Sequence, residues 1–178
     1  MDRLSAMVNS LLELTNLEQM ERGERLSAEQ LIQRAADELA LPAAEREISV
    51  LVDVSPCTLT GNERLLHRAV FNLLENAVKY SPVGGAVYVS GRRADGVFRM
   101  EVTDQGPGIP TELRQQIFEP FFRVDDARSR QQGGAGLGLA LVRAIAEVHG
   151  GAVRVEEAPS GGSRFLLELP MGPGRPDA

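Results

Sequence analysis

The sequence predicts an α+β domain in which a single sheet carries its helices on one face. Two observations predict it. The strand-like runs come mostly in neighbouring pairs joined by turn residues, which is the pattern of hairpins. Long segments of helical periodicity separate those pairs. The composition agrees with a globular chain: 43% of the 178 residues are hydrophobic and only 4% are aromatic. The core is therefore expected to be aliphatic, and the length suits one ordinary domain with a short appendage.

The elements follow in order. Leu4, Met7, Leu11 and Leu14 form a short heptad seam, widened by Val8 and Leu12 and ended by Glu18 and Glu21. That spacing predicts a helix over 1–22, about 30 Å long. It could lie on the main domain, but the narrow seam at the very terminus reads better as one arm of a helical hairpin or a dimerisation segment. A turn follows at Gly23. Ser27 and Gln30 have the spacing of a capping box, opening a helix to about residue 40. Residues 48–54 read as a strand. Asn62 can cap a long helix over 63–80, which Ser81-Pro82 closes. Residues 86–91 and 97–104 form a hairpin through Asp95-Gly96. A short helix is expected after Pro110. The polar stretch 123–135 has little periodicity. Residues 137–149 are apolar nearly all round, so they form a buried helix that Gly150 can end. VRVEEA and SRFLLELP make a last hairpin, and a Pro/Gly-rich tail over 171–178 is expected to be disordered.

Bulk properties narrow the function. A net charge of −6 argues against a general nucleic-acid binder. The single cysteine, Cys57, rules out an intrachain disulfide and fits a reducing cytoplasm. Nothing surrounds it that would make it reactive, so it reads as a small packed residue. No run approaches the roughly 18 apolar residues of a membrane span, and no signal peptide is visible. Any membrane anchor would lie outside this sequence.

Three sets of residues carry chemistry. Asn72, Asn76 and Lys79 fall at i, i+4 and i+7, so they share one stripe of the 63–80 helix. Asparagine is a mediocre helix former, while its carboxamide oxygen suits Mg²⁺ and the lysine ammonium suits phosphate. A polar outer face explains this stripe equally well. Asp104 ends a strand and is followed by Gly106-Pro107-Gly108, where backbone can approach a ligand closely. Its carboxylate could accept a hydrogen bond from an exocyclic amine, though an ordinary tight turn has the same look. Gly133-Gly134-Ala135-Gly136-Leu137-Gly138-Leu139 leads directly into the buried helix. Unpaired N–H groups and the positive helix end make an anion site there. It is not a Walker loop, because no Gly-Lys-Ser/Thr follows.

Taken together, NLLENAVKYSP, DQGPGIP, IFEPFFRVD and GAGLGLAL resemble the N box, first glycine box, F box and second glycine box of sensor histidine kinases, in the family's order. The resemblance covers roughly residues 26–170, and residues 1–25 resemble the end of the family's second dimerisation helix. It implies a Bergerat-type two-layer α/β sandwich: a mixed sheet with helices on one face, plus the short N-terminal helix. It implies ATP and Mg²⁺, with Asn76 on the metal and Asn72 nearby. Lys79 and Tyr80 would meet the phosphates and the nucleotide edge. Asp104 would bind the adenine amino group, with Gly106, Gly108 and Ile109 shaping the pocket. Phe118, Phe122 and Arg123 would anchor a mobile lid over 123–135, expected to be without order in the empty protein, with Arg123 reaching the γ-phosphate. Gly134, Gly136, Leu137, Gly138 and Leu139 would cradle phosphates and close the lid's far end. Hydrolytic relatives in the same superfamily have a water-activating glutamate one turn before the metal-binding asparagine. This chain has Asn72 there, which takes no proton at neutral pH, so slow hydrolysis is expected. Glu75 is a poor substitute, being three positions away.

The family's acceptor is a histidine followed by an acid on the first dimerisation helix. The chain's two histidines, His67 and His149, match neither feature and read as structural. His149 ends a helix, where the dipole favours a partly charged ring. The expected acceptor is thus a hairpin outside the sequence, within a homodimeric parent that is anchored in the bacterial inner membrane and signals to a response regulator. This domain would lie in the cytoplasm and bind no nucleic acid. The competing readings are a regulatory module that holds nucleotide without donating phosphate, and a serine-protein kinase or ATPase of the same superfamily.

Overall fold

The computed structural model describes residues 12, 23–124 and 136–171. Apart from Leu12, the expected helix over 1–22 lies outside them, as do residues 125–135 of the expected lid over 123–135 and residues 172–178 of the expected tail over 171–178. The elements run β1 (Glu24–Ser27), α1 (Ala28–Glu38), α2 (Ala40–Glu45), β2 (Ser49–Val54), β3 (Thr58–Gly61), α3 (Glu63–Tyr80), β4 (Ala86–Ala94), β5 (Val97–Thr103), α4 (Gly138–Val148), β6 (Ala152–Glu157) and β7 (Ser163–Pro170). Five strands form a mixed sheet in the order β2-β4-β5-β7-β6, and a separate antiparallel pair joins β1 to β3. Only β2 and β4 run parallel; the other neighbours are antiparallel. The expected α+β architecture is present, with helices on one face.

Local chemistry sets most boundaries. Ser27 Oγ accepts from the Gln30 N–H at 3.2 Å, so the capping serine works as read. The helix after it does not run unbroken to 40. It breaks at Leu39 (φ −95°, ψ 1°) and restarts as α2. Pro42 explains the break: in a continuous helix it would remove a hydrogen bond and clash with the preceding turn, whereas in the first turn of α2 no donor is needed. Asn62 Oδ1 accepts from the Leu65 N–H at 3.0 Å and starts α3. Ser81, extended at ψ 146° ahead of Pro82, ends it. Asp95 (φ 50°) and Gly96 (φ 80°) are both left-handed, the turn that matches strand twist in a two-residue hairpin. The Gly150 N–H bonds the Glu147 carbonyl and the Gly151 N–H bonds that of Ala146, closing α4 with a Schellman turn.

Two elements escaped the sequence reading. β1 and β3 are four residues each, and each pairs only with the other, Glu24 opposite Gly61. The short helix expected after Pro110 is instead a pair of 3₁₀ turns, Thr111–Leu113 and Gln116–Phe118. Phe118 is buried there, its ring edge-on to Phe165 at 6.4 Å. The core lies between helices and sheet: Leu66, Val70, Leu73, Leu74 and Ala77 of α3 meet Val87, Val89, Phe98, Met100 and Val102 of the sheet and Leu141, Val142 and Ile145 of α4.

Candidate functional site

The C-terminal half of α3, the loop after β5 and the start of α4 converge on one cleft. On α3, Asn72 is 5% exposed and its Nδ2 donates to the Gly138 carbonyl at 3.4 Å. Asn76, one turn on, is half-buried, and its carboxamide makes no hydrogen bond to a described residue. Glu75 points out to solvent. The Lys79 ammonium lies 5.2 Å from the centre of the Tyr80 ring. Burial raises the Tyr80 hydroxyl above its ordinary pKa, and the positive charge of Arg123 works against that rise. Lys79, Tyr80 and Arg123 are thus neighbours, although 43 positions separate the last two.

Asp104 is the buried acid of the cleft, 4% exposed. Its Oδ1 accepts from the Gly106 N–H at 2.8 Å and the Ser163 N–H at 3.0 Å. Desolvation pushes the carboxyl above its usual range, and those two bonds hold it down. Both bonds fall on Oδ1, which leaves Oδ2 for an outside donor. Glycine is obligatory at 162, where a Cβ would stand 2.2 Å from the Asp104 carbonyl oxygen. Gly108 (φ 74°) approaches the Gly161 carbonyl in the same way, and Gly106 lies against the Tyr80 carbonyl. Ile109 is half-buried on the core. Gly162 and Ser163 went unread as site residues because the SGGS run between two strands signals only a turn. Ser81 and Gln105 were also missed. Gln105 Oε1 accepts from the Ala86 N–H at 2.9 Å and so holds the loop after α3 against the loop after β5.

The described residues flanking 125–135 meet. The Phe121 N–H bonds the Gly136 carbonyl at 2.8 Å. Both residues are left-handed, Phe121 at φ 66° and Gly136 at φ 71°. Phe122 packs on the core and Arg123 is half-buried. Glu119 pairs with Arg143 of α4 at 2.9 Å. Leu137 is buried, while Gly138 and Leu139 are half-buried, and among the described residues no side chain caps the first turn of α4. Within that set its leading N–H groups have no side-chain acceptor. Gly134 lies outside the described residues.

Both histidines are engaged in the fold. His67 stacks on Phe71 and its Nε2 lies 3.1 Å from Glu38. His149 departs from the partly charged ring expected at a helix end. Its Nδ1 lies 2.8 Å from the Ile145 carbonyl and its Nε2 accepts the Asn62 N–H at 3.1 Å. A carbonyl can only accept and a backbone N–H can only donate, so the ring is neutral with its proton on Nδ1. These contacts outweigh the dipole. Among the described residues, no helix is long and apolar enough to cross a membrane.

Comparison with known proteins finds the same arrangement elsewhere. The family model described as histidine kinase-, DNA gyrase B-, and HSP90-like ATPase matches residues 61–173. The sensor-like histidine kinase SenX3 of Mycolicibacterium smegmatis is 39% identical over 175 residues, covering 96% of this chain and 46% of its own. Among solved structures, the mycobacterial sensor histidine kinase MprB superposes with a TM-score of 0.76 at 36% identity, covering 85% of this chain and 99% of that one. Full-length ShkA in complex with AMPPNP gives a TM-score of 0.82 at 32% identity, over 94% of this chain and 36% of that one. The chain spans about half the length of the curated relatives it matches.

Proposed function

The chain belongs to the histidine kinase-, DNA gyrase B-, and HSP90-like ATPase family, on its sensor histidine kinase branch, and from that premise we propose that it binds Mg-ATP in this cleft and donates the γ-phosphate to a histidine on a dimerisation hairpin. The observation that carries the reading is Asp104: a buried carboxylate with one oxygen fixed by two backbone donors and the other left to receive an amine such as that of adenine. The complex of ShkA with AMPPNP supports an adenine nucleotide as the ligand.

The remaining roles follow from position. Asn76 has an unengaged carboxamide, the right chemistry for Mg²⁺. Among the described residues no group of three His, Cys, Asp or Glu could hold a metal unaided, so nucleotide oxygens would complete its shell. The ion would neutralise charge on the phosphates. Lys79, Arg123 and the first N–H groups of α4 would hold the same phosphates, and phosphoryl transfer needs mainly that positioning. Asn72 stands where hydrolytic relatives place a general base, and its amide is spent on Gly138. No general base stands at that position, which favours donation over hydrolysis.

His67 and His149 are both held by contacts within the fold, so the acceptor is another histidine. In this reading the parent is a membrane-anchored homodimer that passes the phosphate to a response regulator. The test is to mix the protein with γ-labelled ATP and a separate hairpin carrying a histidine-acid acceptor. Acid-labile label on that histidine is expected. Tight ATP binding without transfer would leave a nucleotide-binding regulatory module instead.

A further inference from the structure

α3 and α4 pack side by side and antiparallel through buried aliphatic residues. Such contacts are non-directional, so by themselves they fix poorly how far one helix slides along the other. Two polar contacts fix it. At one end Asn72 of α3 donates to Gly138, the first residue of α4. At the other, the Asn62 N–H at the start of α3 donates to His149 Nε2 just past the end of α4. The ring is itself held to α4 through Nδ1 and the Ile145 carbonyl, so it cannot swing away from the helix it terminates. The chain makes room for it: a Cβ at Gly61 would stand 2.7 Å from His149 Cδ2 and 2.8 Å from Nε2. β1 and β3 deliver Gly61 and Asn62 to that place.

We propose that His149 is a positioning residue that locks the axial register of α4 on α3, and so sets where the N–H groups at the start of α4 stand relative to Asn76. This deepens the Mg-ATP reading and rests on it. The adenine end of the cleft, built from Asp104, Gly106 and Ser163, belongs to the sheet and does not depend on this register. Loosening the lock should therefore weaken phosphate contacts and leave adenine contacts alone.

The experiment compares wild type, His149→Phe and His149→Gln. Phe keeps a ring and removes both nitrogens; the Gln carbonyl can again accept the Asn62 N–H. Calorimetry would measure the Kd of Mg-ATP and of adenosine for each. The expected result for His149→Phe is Mg-ATP affinity about tenfold lower, the scale of one misplaced hydrogen bond. Adenosine affinity stays within about twofold, and His149→Gln recovers most of the loss. Unchanged Mg-ATP affinity, or equal losses for both ligands, would overturn the proposal. A second measurement needs no nucleotide. In ¹⁵N-labelled wild type, His149 Nδ1 should carry the proton and Nε2 should show coupling across the hydrogen bond to the Asn62 amide nitrogen. A proton on Nε2, or absent coupling, overturns the lock even if His149→Phe fails to fold. Failure of wild type to bind either ligand would strike the nucleotide reading instead.

Discussion

The carboxylate of Asp104 is more costly to the empty protein than a neutral amide of the same shape. Its folded pKa is raised, with desolvation as the main cause. The penalty for ionisation is therefore absent below the ordinary carboxylate pKa and complete above the raised one. Asp104→Asn keeps an oxygen for the Gly106 and Ser163 N–H groups. It should unfold in urea at no lower a midpoint than wild type at pH 7, with any advantage vanishing near pH 4, about the ordinary carboxylate pKa. Its affinity for Mg-ATP should fall at least tenfold, the loss expected when an amide faces a donor in place of an acceptor. Parallel titrations of binding and stability check both halves. At Asn72 the effect runs the other way. Asn72→Asp removes the donor to Gly138 and sets a carboxylate against a carbonyl, which should cost about 1–3 kcal/mol of stability by chemical denaturation. Asp104 was legible because a lone acid at a strand end followed by glycines is unusual chemistry. Its partners Gly162 and Ser163 were not, because 59 positions separate Ser163 from it and only folding brings them together.

Between the F-box turn and α4, the described residues on either side of 125–135 are joined by a backbone bond from Phe121 to Gly136. Gly136 has φ 71°, and a Cβ there would stand 2.9 Å from the Phe121 carbonyl carbon. Gly136→Ala should therefore push the two residues apart at a cost of about 1–3 kcal/mol. On the proposed reading these residues lie at the phosphate end, so Mg-ATP binding should weaken while adenosine binding holds. Calorimetry with the two ligands would decide this, and equal losses would mean that they also support the adenine pocket. Element boundaries were legible where a side chain punctuates the backbone locally. Asn62 and Ser81-Pro82 bracket α3, Asp95-Gly96 turns β4 into β5, and Gly150 stops α4. β1 and β3 were not legible, since four-residue strands carry almost no periodicity and exist only through each other, with the nearest partners, Ser27 and Thr58, 31 positions apart. The break at Leu39 was readable in principle from Pro42, whose place in a helix is confined to the first turn.

Across the whole molecule the sheet divides two kinds of acid. Its inner face is apolar and leads to Asp104; its outer face over β5, β7 and β6 carries a lattice of charges. Arg99 pairs with Glu168 at 2.7 Å, Arg154 with Glu168 and with Glu156 at 3.1 Å each, and Arg164 with Glu156 at 2.6 Å. Beneath it lies Leu166, only 3% exposed although it alternates with Arg164 and Glu168 on the outer side. Its register neighbours are Glu101 and Arg154, so the aliphatic stems of the lattice supply its cover. A single exposed ion pair adds about 0–1 kcal/mol and is screened by salt. Covering a leucine is not screened. Arg154→Ala removes both, and should destabilise the fold by about 1–2 kcal/mol, of which roughly half persists in 0.5 M NaCl. If high salt abolishes the whole difference, Leu166 is covered by something else. The arginines hold Glu156 and Glu168 below the usual carboxylate range through direct hydrogen bonds. Their contribution is therefore present above the ordinary pKa and is lost as pH falls through the depressed one. Asp104 has the opposite sign, and its penalty fades earlier on the descent, between its raised pKa and the ordinary one. From pH 7 to about pH 4, the ordinary carboxylate pKa, the empty wild type should therefore gain stability relative to Asp104→Asn, and below that the two should lose it in parallel. Equal slopes in a urea series over that upper range would show that Asp104 is not held in the raised state its burial demands.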